Sequence, residues 1–179
     1  MGIQMIGIDH NRAVLDVRMI FSFTKKDAGK ALEALKEVPG IEGCVLLSTC
    51  NRMELWASTD GTFTGSLYEW LCMHREVSPR KYEEYFVSRR GREAVHHLFR
   101  LAGGLESKIL GEDQIVTQVG DALALAREHY AADHVLETLF RQAGCIAGDD
   151  TIMCAVRSSE DTVKVMDKIN RIVSERNKL

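Results

Sequence analysis

With 179 residues, the chain has room for one sizeable domain with its own core, or for one domain and a helical extension. Its composition, 45% hydrophobic and 27% charged, is globular and excludes disordered and fibrous classes. A net charge of -3 gives no whole-molecule attraction for phosphate, so any nucleic-acid contact has to come from a local basic patch.

No apolar run is long enough to cross a bilayer, and the opening ten residues lack the basic-then-apolar order of a signal peptide. A cytoplasmic location without membrane contact is expected. Gln4 to Asp9 alternates over a short length and predicts a first strand. Thr24-Lys25-Lys26-Asp27 is a capping box; it opens a helix with Ala28, Ala31, Leu32, Leu35 and Val38 on one face, closed by Pro39-Gly40. Cys44 to Ser48 and Met53 to Ser58 are strand-type runs on either side of the polar break Thr49-Cys50-Asn51-Arg52. Phe63 to Met73 predicts another helix, and Tyr85 to Ser88 a short last strand before the basic turn Arg89-Arg90-Gly91-Arg92.

After Arg92 the period is helical throughout. The stripes are Val95, Leu98, Phe99, Ala102; then Ile115, Val119, Ala122, Leu123, Ala126; then Leu136, Leu139, Phe140, Ala143. Gly103-Gly104 and Gly148-Asp149-Asp150 mark breaks, and a final amphipathic helix is expected from Glu160 to about Arg176. The change of period predicts an α+β fold, with a small N-terminal sheet in a split βαβ (ferredoxin-like) arrangement followed by a helical layer. Residues 1–147 form the expected main domain, and 148–179 a helical extension.

Five cysteines, an odd number with no C-x-x-C pair, argue against a disulfide framework and a zinc ribbon. Cysteines in such a chain are usually small buried hydrophobes. Cys50 stands apart because Ser48-Thr49-Cys50-Asn51-Arg52 is the densest polar cluster in the chain and interrupts an apolar strand region. A thiol beside a guanidinium and two hydroxyls suits a reactive thiolate. Local composition by itself favours a plainer alternative, a tight turn with Asn51 left-handed and Cys50 half buried.

The second cluster runs from Gly104 to Val119, a glycine-bounded loop entering a helix, with Gln114 and Gln118 on one face. Its polar groups suit the charged ends of an amino acid, whereas helix capping by Glu112 or Asp113 is the simpler account. His97 points nearly opposite its helix's apolar stripe, for which a solvated surface histidine is the usual reason. The remaining histidines lack partners at metal-ligand spacing, so no metal site is expected.

Taken in order, these segments resemble the glutamyl-tRNA reductase family. The strand ending Leu46-Leu47-Ser48-Thr49-Cys50-Asn51-Arg52-Met53-Glu54-Leu55, the helix Ala94-Val95-His96-His97-Leu98-Phe99-Arg100 and the segment Gly104 to Gln118 carry the resemblance. It extends over about residues 3 to 147. It implies that Cys50 attacks the ester of glutamyl-tRNA to give an enzyme thioester, which NADPH reduces to glutamate 1-semialdehyde for haem and other tetrapyrroles. It implies that His97 assists as acid or orienter, and that Thr49, Arg52, Ser107, Glu112, Gln114 and Gln118 hold the glutamate, with Arg52 facing its carboxylate.

Two positions depart from the family's second motif, Asp113 and Thr117, and no G-x-G-x-x-G follows Ala147. The sequence shows no NADPH site. The expectation is therefore the catalytic half of a reductase, natural as a stand-alone chain, needing a separate NADPH-binding protein or domain. A glutamyl-tRNA-binding regulator and a slow thioester hydrolase are the alternatives, and self-association is left open. Contact with tRNA is expected to use some of Arg75, Arg80, Lys81, Arg89, Arg90, Arg92 and Arg100.

Overall fold

The computed structural model describes residues 2–106, 114–145, 147–148 and 151–152. In it β1 (Gly2–Asp9) is followed by two helices, α1 (Leu15–Ile20) and α2 (Lys25–Lys36), before the chain returns in β2 (Ile41–Ser48). β3 (Arg52–Thr59), α3 (Leu67–His74) and β4 (Val87–Arg90) complete one sheet of order β2-β3-β1-β4. Neighbouring strands are antiparallel, so β1 and β2 run parallel with β3 between them. This is the split βαβ arrangement predicted from the sequence. α4 (Arg92–Ala102), α5 (Gln114–Glu128) and α6 (His134–Cys145) supply the helical layer, with a small pair, β5 (Ala147–Gly148) and β6 (Thr151–Ile152), after them. The helix expected at residues 160–176 lies outside the described residues.

The register assigns the two faces of the sheet. Cys44 pairs with Ala57 and Leu46 with Leu55, and the Cys44 thiol donates to Leu32 O of α2, so α2 covers the face of Met53, Leu55 and Ala57. On the opposite face Trp56 packs edge-on against Phe140 of α6 and stacks on His97 of α4. Helices thus cover both faces of β3, and all eight of its residues are buried. The outer edge of β2 is closed too, because Cys44 N–H donates to Ala131 O. That linker passes so close that a Cβ on Gly43 would lie 2.6 Å from Asp133 N, which is why β2 carries a glycine there.

Local signals account for the element ends. Thr24 Oγ1 accepts from Asp27 N–H and donates to the Asp27 carboxylate, the predicted cap for α2 and a contribution of about 1 kcal/mol. Ser66 caps α3 by accepting from Glu69 N–H, so that helix starts four residues later than Phe63. α1 was not anticipated. It has no buried residue, hence no apolar stripe to recognise. Arg89 and Arg90, expected in a turn, belong to β4 and pair with Met5 and Gln4; basic residues suit this edge strand because they discourage further pairing.

The buried face of α4 is also rotated from the expected stripe. Ala94, His97, Leu98, Leu101 and Ala102 are buried, whereas Val95 and Phe99 are only partly so. The surface position expected for His97 is overturned: its residue is 5% exposed, because β3 offers it a charged partner inside the fold.

Candidate active site

The β2–β3 hairpin is held by its own hydroxyl. Thr49 Oγ1 accepts from the N–H groups of Asn51 and Arg52 at 3.2 Å each, while Thr49 N–H donates to Arg52 O at 2.8 Å. His10 N–H donates to Asn51 O and pins the tip to the end of β1. Cys50 therefore sits on a fixed, exposed tip. The plainer alternative of a half-buried Cys50 with a left-handed Asn51 is overturned, since the positive-φ non-glycine residues described are Glu76 and Tyr130. Thr49, expected to touch substrate, spends its hydroxyl on the turn.

Arg52, Glu54 and Trp56 alternate along β3 and so share one face. Glu54 Oε1 accepts from Arg52 Nη1 and bonds His97 Nε2, both at 2.9 Å. Glu54 Oε2 accepts from Trp56 Nε1 at 3.2 Å. Arg52 Nη2 donates to Glu106 O, just past α4. Across the sheet Gly7 pairs with Glu54, and a Cβ at Gly7 would lie 3.0 Å from Glu54 Cγ; the glycine leaves room for the carboxylate.

Burial works to raise the Glu54 carboxyl, but the hydrogen bond and charge of His97 and the Arg52 guanidinium outweigh it and hold it below the ordinary value. Glu54 is accordingly an ionised acceptor with every bond used on a cation or an N–H. His97 Nδ1 is buried and has no partner among the described residues. Leaving such a nitrogen unpaired costs roughly 1–3 kcal/mol, a cost that functional sites tolerate when a ligand supplies the missing partner.

The other described thiols differ from Cys50. Burial pushes the Cys44 thiol up to about 12, and burial likewise raises Cys72. Both are enclosed in the core.

The sequence-derived substrate residues divide by location. Arg52 and His97 meet at Glu54, with Arg52 two residues and Glu54 four residues from Cys50. Ser107 and Glu112 lie outside the described residues, and so does Asp113. Gln118 lines a cleft of about 400 Å³ with Ser48, Phe23 and Asp121. Toward its other end α5 leads to Ala131, beside Cys44, so the helix runs antiparallel to β2 and starts at the Cys50 end of the sheet. Gln114, exposed in the first turn, is there. Glu106 at Arg52 and Gln114 are the two described residues that flank positions 107–113.

Glu54 and Trp56 were not singled out from the sequence. The available signal was the spacing of Arg52, Glu54 and Trp56 at every second position of one strand. Period-two reasoning reads such a face as solvated, and only the helices laid over it show otherwise.

The described residues do not fit a dinucleotide. The sheet that bears the site is antiparallel throughout, whereas pyrophosphate is usually held at a glycine-rich strand-to-helix turn of a parallel sheet. Among the described residues no helix is long and apolar enough to cross a membrane, and no group of three or more metal-ligating side chains is found. Of the basic residues expected to meet tRNA, Arg80, Lys81, Arg90, Arg92 and Arg100 are exposed and Arg89 is half-buried. Arg75 donates to Ile20 O and lies over the Phe23 ring, and Arg100 pairs with Glu106.

The sequence matches the family profile described as glutamyl-tRNAGlu reductase, N-terminal domain, over residues 6–172, a span that runs past residue 147. It is 39% identical over 163 residues to the glutamyl-tRNA reductase of Alkaliphilus oremlandii, covering 91% of this chain and 49% of that protein. To the glutamyl-tRNA reductase of Acetivibrio thermocellus it is 41% identical over 143 residues, 80% of this chain and 43% of that one. Among solved structures, glutamyl-tRNA reductase from Methanopyrus kandleri matches with a TM-score of 0.62 and 31% identity, over 80% of this chain and 33% of that one. The chain spans about half, or less, of the length of these relatives.

Proposed function

Because the chain belongs to the glutamyl-tRNA reductase family, we propose that it performs the first half of the reaction for which that family is named, moving glutamate from glutamyl-tRNA to the Cys50 thiol. The observation that carries this reading is the placement of an exposed thiol on a rigid hairpin tip, two residues from a buried Arg52–Glu54–His97 network. A nucleophile needs access to substrate and a positioned acid–base group near it.

In the proposed step the Cys50 sulfur attacks the ester carbonyl carbon. The carbon–oxygen bond to the ribose breaks, and the thiol proton ends on the ribose hydroxyl. His97 is the group proposed to carry that proton. Arg52, Gln114 and Gln118, together with Ser107 and Glu112, are proposed to orient the glutamate, and Thr49 to shape the tip beneath it. The exposed basic residues of the segment 80–92 would meet the phosphates. Reduction to glutamate 1-semialdehyde, the precursor of haem and other tetrapyrroles, requires NADPH held by another domain or chain.

Mass spectrometry after mixing the chain with glutamyl-tRNA tests the proposal. The expected result is a glutamyl adduct on Cys50 that decays slowly to free glutamate, absent in Cys50→Ser while tRNA binding persists. Binding of charged tRNA with no adduct would overturn the nucleophile and favour a regulatory binding protein.

A further inference from the structure

His97 is a neutral acceptor on one nitrogen and a donor on the other unless it is protonated on both, and its partners decide which nitrogen does which. Nε2 lies 2.9 Å from Glu54 Oε1. That oxygen also accepts from Arg52 Nη1 at 2.9 Å, and the other carboxylate oxygen accepts from Trp56 Nε1 at 3.2 Å, so both oxygens of Glu54 serve as acceptors beside a fixed guanidinium. An ionised carboxylate only accepts. Nε2 must therefore carry a hydrogen, which leaves Nδ1 as the bare nitrogen. Nδ1 is the buried atom without a partner among the described residues.

We infer that Glu54 is a positioning residue for thioester formation, fixing His97 as the Nε2–H tautomer so that Nδ1 is the atom that exchanges protons. The inference rests on the reading of Cys50 as nucleophile. Nδ1 takes the proton from the Cys50 thiol as the sulfur–carbon bond forms, and returns it to the ribose oxygen as the ester bond breaks. His97 ends as it began. In between, the imidazolium faces the Glu54 carboxylate, whose charge is already in place and needs no reorganisation.

Trp56 completes the support. Its indole N–H holds Glu54 Oε2, and its ring lies at 15° to the His97 ring with centroids 6.1 Å apart. Both the carboxylate and the imidazole plane are thus fixed from one side chain. A glutamine at position 54 is the same size but cannot reproduce the site. Its NH2 group would face either the Trp56 N–H or the donors of Arg52 and His97.

The test has two arms. In the ¹⁵N-labelled full chain, ring-nitrogen shifts of His97, assigned by their loss in His97→Gln and followed with rising pH until the ring is neutral, should show Nε2 protonated and Nδ1 bare. Trp56→Phe removes only the Oε2 partner and should keep that tautomer. Hydrogen on Nδ1 of the neutral ring, or a tautomer lost in Trp56→Phe, would overturn the inference. In the second arm, Glu54→Gln should slow adduct formation with glutamyl-tRNA on the order of 10²-fold, with tRNA affinity unchanged. An unchanged adduct rate would overturn the inference, and if this variant fails to fold, the tautomer of the unaltered chain decides. Should the unaltered chain form no adduct, the role of Cys50 fails while the tautomer result stands separately.

Discussion

The two faces of β3 are equally buried and are built on opposite principles. Toward α2 the strand presents Met53, Leu55 and Ala57, and the neighbouring thiol Cys44, which burial keeps uncharged. Toward α4 and α6 it presents Arg52, Glu54, Trp56 and Ser58. The first face is stabilised by removing apolar surface from water. The second is tolerable only while every charge has its partner, and that requirement is what gives it chemical potential. The difference teaches that a polar stripe on a central strand need not be a solvent face. When helices cover it, it becomes a set of charges whose protonation and orientation the fold dictates.

Removing one partner from the polar face should produce the largest effect. Glu54→Ala strands the Arg52 charge inside the protein and frees His97 Nε2, and should cost about 3–5 kcal/mol in urea unfolding. Replacing both ions, Arg52→Met with Glu54→Leu, should recover much of that loss while adduct formation stays slow. On the apolar face, Leu55→Ala should cost ~3 kcal/mol through lost burial and a cavity, with no second substitution able to restore it by pairing. Equal recovery on both faces, or none on either, would erase the distinction.

The faces should also separate with acid. The Glu54 carboxyl lies below its ordinary value in the fold, so its contribution is fully present above the unfolded value of about 4.3. It is lost as pH falls below that value and through the lowered folded one. Urea midpoints measured from pH 6 to pH 3 should therefore fall more steeply for the unaltered chain than for Glu54→Gln. Leu55→Ala should fall in parallel with the unaltered chain. A parallel fall in Glu54→Gln would show that other carboxylates dominate acid unfolding.

The same contrast explains what could be read in advance. The α2 stripe, the strand runs around Thr49–Arg52 and the helical period beyond Arg92 are burial patterns, and the split βαβ sheet follows from them. The Cys50, Arg52 and His97 positions came from motif order. What escaped was the partner that joins two of them. Glu54 lies inside a run read only as a strand, and its role depends on a helix forty residues later turning His97 inward. The rotation of α4 has the same origin, since apolar counting placed Val95 and Phe99 on the buried face and could not credit a histidine with an ion-paired place there. α1 escaped for the opposite reason, having exposed Val14, Leu15 and Met19 and nothing buried to betray it.

Ser58 gives the smallest expected effect and the sharpest check on the idea that polarity on this face is retained for pairing. It lies on the same side as Arg52, Glu54 and Trp56, two residues beyond Trp56, and is fully buried. Its Oγ has no partner among the described residues. A buried hydroxyl without a hydrogen bond is a desolvation cost with no return, so the argument that protects Glu54 does not extend to it. Ser58→Ala removes one oxygen, leaves no charge stranded and opens little space. It should raise the unfolding free energy from urea titration slightly, by up to about 1 kcal/mol, and leave the Cys50 adduct and the His97 tautomer unchanged. A loss of stability as large as that of Glu54→Ala would mean that the Ser58 hydroxyl belongs to the network, and that the paired region of this face reaches the far end of the strand.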